Sequence, residues 1–213
     1  MEKIILHSKE VLLQKLRGVP VNTGERVYEN SFIDLVRMPI SLIKFSQKYV
    51  IGSRVADILN LKGKLQESFG LEKFNGYLSI YSNGEYLYDF LPPVVEWSSE
   101  DCCWLLNDGM HRIYADYLTG KNFVTVVRVQ HVLKGFPYYA YPCNLKWDQV
   151  KSLSAKPSAE DNKQYRREGA AYKELFRRFD KVFHNIQMKR PDGLKCEEVE
   201  VKRGLSSGIY SAE

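Results

Sequence analysis

The sequence predicts an α/β fold, a small mixed sheet with flanking helices and a C-terminal helical extension. Three observations carry this. Cys103 to Leu106, an amphipathic stretch, and then NFVTVVRVQ (122–130) make a strand, helix, strand unit that brings two strands into one sheet. Two hairpins precede that unit. In YLSIYSNGEYLYDF, Asn83-Gly84 supplies the positive φ angles of a tight turn, and Val94 to Trp97 faces Cys103 to Leu106 across a polar turn. Farther on, Tyr172, Leu175, Phe176, Phe179, Val182, Phe183 and Ile186 recur with the helical period.

The remaining elements follow in chain order. Glu10 to Arg17 carries Val11, Leu12, Leu13 and Leu16 and stops at Gly18 and Pro20, which predicts a short helix. Ser31 to Phe45 is rich in branched and aromatic residues, so a strand is expected there, interrupted by Pro39. Val55, Ile58, Leu59, Leu65 and Phe69 approximate a helical stripe between Arg54 and Gly70, weakened in its middle by Gly63. In LLNDGMHRIYADYLTGK (105–121), Asp108 stands where an N-cap belongs and Gly120 where a helix terminates. Pro137 to Val150 reads as a structured loop leading to a short helix near Trp147, and Ser152 to Asp161 reads as a linker.

With 213 residues, 44% of them hydrophobic, the chain can bury one sizeable core with a small appendage. No apolar run is long enough to span a bilayer, and the N-terminus has no cleavage pattern, so a cytoplasmic protein without a membrane partner is expected. Four cysteines are too few for a disulfide scaffold and have no metal-ligand spacing; they read as reduced thiols. A net charge of +5 favours an anionic partner without amounting to a nucleic-acid signature. The oligomeric state is not encoded in any pattern of the sequence.

The turn at Asp108, Gly109, Met110, His111 and Arg112 is the chemical centre of the chain. A helix start offers unpaired N–H groups and a partial positive charge, Gly109 lets a ligand approach, and Arg112 can bind phosphate oxygens in a bidentate way. His111 can donate to a phosphate or carry a proton near neutral pH. The plainer alternative has Asp108 as a helix cap, Arg112 paired with Asp116, and His111 as a structural residue.

The strand Pro92-Pro93-Val94-Val95-Glu96, the strand Trp104-Leu105-Leu106, and Asp108-Gly109-Met110-His111-Arg112 with Ala115 and Gly120 together resemble the ParB/sulfiredoxin-like superfamily. The resemblance covers residues 92 to 130. It implies an α/β domain over residues 1–150 that holds a nucleotide phosphate through Asp108, Gly109, Met110, His111 and Arg112. A linker and amphipathic basic helix (151–190) and a flexible tail (191–213) would follow.

Sulfiredoxins need a cysteine immediately before the His-Arg pair. Met110 stands there, and a thioether cannot form the sulfur intermediate. ParB partition proteins, which bind CTP, have Arg at the position of His111, and no helix-turn-helix is evident after Lys163. The motif is most similar to the ParB-like free-serine kinases. That resemblance implies an ATP-dependent or other nucleotide-dependent phosphotransferase acting on a small hydroxyl-bearing molecule, with Asp108 and His111 at the phosphates and a separate glutamate as base. Glu96 and Glu29 are the candidates for that base.

Phosphoryl transfer would call for Mg²⁺ held mainly through the nucleotide, since no dedicated metal cluster is visible. Walker-type loops and protein-kinase motifs are absent. Tyr138, Tyr139, Tyr141 and Trp147 are candidates for stacking on a base, with packing the alternative. The C-terminal stripe has a second face with Arg166, Arg167, Lys173, Arg177, Arg178 and Lys181, read as a solvated face or as a contact for nucleic acid. A non-enzymatic nucleotide-binding or DNA-binding module is the rival reading.

Overall fold

The protein, seen here as a computed structural model, is described for residues 2–70, 75–133, 135–158, 173–186 and 209–211. Its strands are β1 (Glu2–Ser8), β2 (Phe32–Pro39), β3 (Ile43–Lys44), β4 (Tyr49–Ile51), β5 (Gly76–Ser82) and β6 (Glu85–Phe90), followed by β7 (Val94–Ser98), β8 (Cys103–Asp108), β9 (Phe123–Gln130), β10 (Lys151–Leu153) and β11 (Ile209–Ser211). The helices are α1 (Lys9–Arg17), α2 (Gly52–Phe69) and α3 (Met110–Leu118).

The alternation of valines in β9 explains how the layers stack. Val124 and Val126 enter one buried cluster, whereas Val127 and Val129 enter another. A strand buried on both faces must carry a nearly continuous apolar run, as NFVTVVRVQ does. Its sheet has five strands in the order β2, β9, β7, β8, β3. β7 pairs antiparallel with β8 and parallel with β9, so β8 and β9 share a sheet with β7 between them. On one face α2 and α3 bury Val55, Ile58, Leu65, Ile113 and Ala115; on the other α1 buries Leu12 and Leu16. A second sheet, in the order β11, β1, β5, β6, is antiparallel throughout.

The local signals produced the expected elements. Asn83 and Gly84 have φ of 50° and 84° at the β5–β6 turn. α2 runs through Gly63 to a left-handed Gly70, and a 3-10 turn spans Trp147–Gln149. Trp147 anchors that turn by donating its Nε1–H to the Ile40 carbonyl at 3.0 Å.

The structure also corrects the reading from local pattern. β1, β4 and β10 arise where no strand is predicted. β4 and β10 pair parallel, so Lys151–Leu153 is a strand at the border of the expected linker. β11 pairs with β1 inside the stretch expected to be a tail. Within 173–186 the period of Leu175, Phe176, Phe179, Val182 and Phe183 does not produce a continuous α-helix: the segment is made of turns and 3-10 structure, including Phe179–Lys181. Tertiary partners explain this outcome. The backbone of this segment bonds outward, with Asn22 N–H donating to the Glu174 carbonyl, Arg178 N–H to the Pro20 carbonyl and Asp89 N–H to the His184 carbonyl. Phe179 and Phe183 still reach the core beside Tyr28 and Tyr77. Arg166, Arg167, Tyr172 and most of 191–213 lie outside the described residues.

Candidate functional site

The end of β8 and the start of α3 meet at Gly109, whose φ of 103° lies in the left-handed region. A Cβ there would stand 2.8 Å from the Cβ and 2.9 Å from the Cα of Pro93, so the close approach of Pro93, just before β7, leaves room only for glycine. Gly109 is itself the N-cap residue, and no side chain caps the helix. The expected cap, Asp108, is instead the last residue of β8, and its carboxylate pairs with Arg112 one turn later. Asp116, the partner considered for Arg112, pairs with Lys62 and Lys121. Arg112 also donates to the Leu91 carbonyl and is buried, so its fork is already occupied within the fold. Met110 packs into the core.

His111 joins two helix starts. The N–H of Ile51, the residue before α2, donates to His111 Nε2 at 2.9 Å. A nitrogen that accepts cannot carry the proton, so Nδ1 carries it in the neutral ring. Burial, reinforced by the positive charges of Arg54 and Arg112, pushes His111 down to about 4. His111 is therefore neutral at neutral pH.

Around this junction lies a cavity of about 490 Å³. Asn107 to Arg112 form one wall; Ile51 at the end of β4, with Arg54, Asp57 and Ile58 from the start of α2, forms another. Phe45, Tyr49, Tyr138 and Tyr139 supply aromatic surface, while Lys156 and Ile186 close the remaining side. Tyr138 is buried and donates its hydroxyl to the Leu106 carbonyl at 3.1 Å, and Tyr139 stacks on Phe176 at 4.1 Å. Trp147 is outside the lining, and Tyr141 is exposed.

Two side-chain polar atoms are buried without a hydrogen-bond partner among the described residues, Ser46 Oγ and Asn107 Oδ1. Both residues line this cavity. Such orphans are rare in native folds and call for an explanation, an ordered water or ion among them.

Neither predicted base lines the cavity. Glu96, a candidate base in the sequence, lies inside β7 at 2% exposure. Tyr28 Oη donates to its Oε2 at 2.8 Å and Asn107 Nδ2 at 2.7 Å; Arg177 donates through Nη2 to Oε1 at 2.7 Å and through Nε to Oε2 at 3.1 Å. Arg177, read as part of a solvated basic face, is thus buried, because its partner sits in a distant strand. Burial and the neighbouring Glu96 charge push the Tyr28 hydroxyl well above an ordinary tyrosine, so it stays protonated. Glu29 is exposed; its carbonyl accepts from Arg17 Nη1 at 2.8 Å and its N–H donates to the Arg26 carbonyl at 3.3 Å.

Arg54, Asp57 and Ser46 were missed in the sequence. Arg54 and Asp57 have a helical pattern that says nothing of which helix faces α3, and Ser46 has no motif around it. The family described as ParB CE domain has a sequence model that matches residues 11–151, more than half of the chain. The chain belongs to the ParB CE domain family. Comparison with curated proteins and with solved structures found no match. In this ParB CE chain the matched stretch runs from α1 to the first residue of β10 and holds nearly the whole cavity wall; Lys156 and Ile186 come from beyond it. Among the described residues no group of three or more His, Cys, Asp or Glu side chains is placed to hold a metal ion, and no helix is long and apolar enough to cross a membrane.

Proposed function

We propose that this ParB-like domain binds a nucleotide in the cavity at the Asn107 to Arg112 turn, with the phosphates at the backbone of Gly109 to His111. The observation that carries this reading is the pair of orphaned polar atoms, Ser46 Oγ and Asn107 Oδ1, in residues of the same wall. The other features fit the group. The N–H groups that open α3 precede its first internal donors, Arg112 and Ile113, and so are oriented for an anion. Arg54 and Lys156 add positive charge, and Tyr138 and Tyr139 offer rings beside which a base can lie. The cavity volume is ordinary for a small-ligand site.

Arg112 acts by holding Asp108 and the turn, leaving phosphate contact to backbone, Arg54 and Lys156. His111 positions the start of α2 against α3 and, being neutral, has only its Nδ1–H to offer a ligand.

A phosphotransferase acting on a small hydroxyl-bearing molecule is the second reading, because Asp57 and Asp108 line the same cavity. A bound Mg²⁺ would neutralise phosphate charge, held chiefly through the nucleotide with one of these carboxylates. The free thiols of Cys102, Cys103 and Cys143 accord with a reducing, cytoplasmic setting.

Thermal denaturation with ATP, ADP, CTP and GTP, each with Mg²⁺, tests nucleotide binding. Ligand at one hundred times its dissociation constant adds about 2.7 kcal/mol of stability. A melting temperature that none of the four raises would overturn the reading. Incubation of the best binder with free serine and related alcohols, followed by product analysis, tests transfer. Retardation of duplex DNA, compared between the native chain and Arg178→Glu, tests a nucleic-acid partner; Arg177 is unsuitable for that purpose because it is buried.

A further inference from the structure

A second cavity, of about 540 Å³, opens between the middle of α2, the end of α3 and the first residues of β9. It shares one residue, Arg112, with the first cavity. Its charge is unbalanced. Arg37, Lys62, Arg112 and Lys121 line it, against Asp116 as the one carboxylate among the described lining residues. Arg112 is neutralised by Asp108 from the opposite side. Asp116 is shared by two ammonium groups, Lys62 Nζ at 2.6 Å and Lys121 Nζ at 3.1 Å. One negative charge thus serves two lysines, while the guanidinium of Arg37 lies over the Phe123 ring at 4.9 Å. An anion would be drawn to this lining, and a planar apolar body would find Phe90, Phe123 and Leu65 around it.

We propose that this second cavity is a binding site for a small organic anion, an aryl carboxylate or aryl phosphate, whose charged group is taken by Lys121 and Arg37 and whose ring lies against the phenylalanines. Lys62 is the positioning residue: it fixes Asp116, which in turn fixes Lys121. Burial outweighs the attraction of Asp116 and lowers the Lys62 pKa, with the positive charges of Lys121 and Arg112 acting in the same direction. The site meets the Asn107 to Arg112 cavity only at Arg112 and holds whether or not that cavity takes a nucleotide.

Phenyl phosphate titrated into the full chain, followed by amide chemical shifts, locates the ligand directly. Saturable shifts are expected at Gly63, Thr119 and Asn122. Phenol, which has the ring without the charge, should bind at least about tenfold more weakly, the scale of one charge-assisted hydrogen bond. The double variant Arg37→Gln, Lys121→Gln changes two exposed side chains and should weaken phenyl phosphate by a similar factor while keeping the native melting temperature. Shifts confined to Gly109 to Arg112, no saturation at millimolar phenyl phosphate, equal affinity for phenol, or an unchanged affinity in the double variant would each overturn the proposal.

Discussion

Arg177 reaches Glu96, a residue 81 positions earlier, and closes a two-point ion pair with it, Nη2 to Oε1 at 2.7 Å and Nε to Oε2 at 3.1 Å. Their side chains are 1% and 3% exposed. The remaining donors of Arg177 are spent on the Phe136, Pro137 and Leu175 carbonyls at 2.7, 3.1 and 2.7 Å. Through Asn107, whose Nδ2 also donates to Glu96, the pair reaches the wall of the first cavity.

Removing one partner of so buried a pair leaves the other charge without compensation, which costs about 3–5 kcal/mol. Arg177→Met should therefore lower stability by that amount in urea denaturation. Glu96→Gln in the same background should cost less than it does alone, because the carboxylate it removes has already lost its partner. Additive losses, or a loss from Arg177→Met below about 1 kcal/mol, would show that the pair contributes little.

Gly109 and Gly63 make opposite predictions. Gly109→Ala forces a side chain onto a φ of 103° and against Pro93, and should cost at least about 1–3 kcal/mol from backbone strain alone. Gly63→Ala meets nothing within 4 Å inside α2 and should gain about 0.5–1 kcal/mol from helix propensity. Thermal denaturation of both variants checks the pair, and a Gly109→Ala variant as stable as the native chain contradicts the assigned geometry.

The pH dependence follows from His111. Its folded pKa of about 4 lies below the ordinary 6.5, so between these values the unfolded chain binds more protons than the folded one. Stability should then fall as pH drops from about 6.5 towards 4, by an amount that can reach roughly 3 kcal/mol. His7, also lowered by burial, acts in the same direction. His111→Gln, which cannot titrate, should flatten the profile across that window; an unchanged slope would remove His111 as its source.

Nucleotide affinity should respond to the cavity wall and not to charge in general. Arg54→Gln and Asn107→Leu should each weaken the preferred nucleotide by about tenfold, the scale of one hydrogen bond to a charged group. Arg178→Gln removes a cation paired with Asp180 outside the lining and should leave affinity unchanged. Calorimetric titration separates these outcomes, and equal losses in all three variants would indicate a diffuse electrostatic effect.

Elements governed by neighbours in sequence were legible in the chain itself. Asn83-Gly84 forced its hairpin, the apolar period drew α1 and α2, and the order Asp108 to Arg112 marked the strand-to-helix turn, because each depends on φ, ψ preferences and spacing within a few residues. The roles within that turn were less so. Asp108 was expected to cap α3, yet its carboxylate is held by Arg112 and Gly109 takes the cap position, since the nearness of Pro93 sets the backbone there.

Partnerships across long separations were not legible. A carboxylate in β7 is buried because an arginine 81 residues later meets it, and a segment with a helical stripe abandons the helix because its backbone groups find Asn22, Pro20 and Asp89 instead. Local conformational preference and apolar spacing were enough to set the mixed α/β class and the position of the turn. Which charges face the cavity and which are neutralised in the core was settled by folding, because burial and pairing depend on residues that are far apart until the chain brings them together.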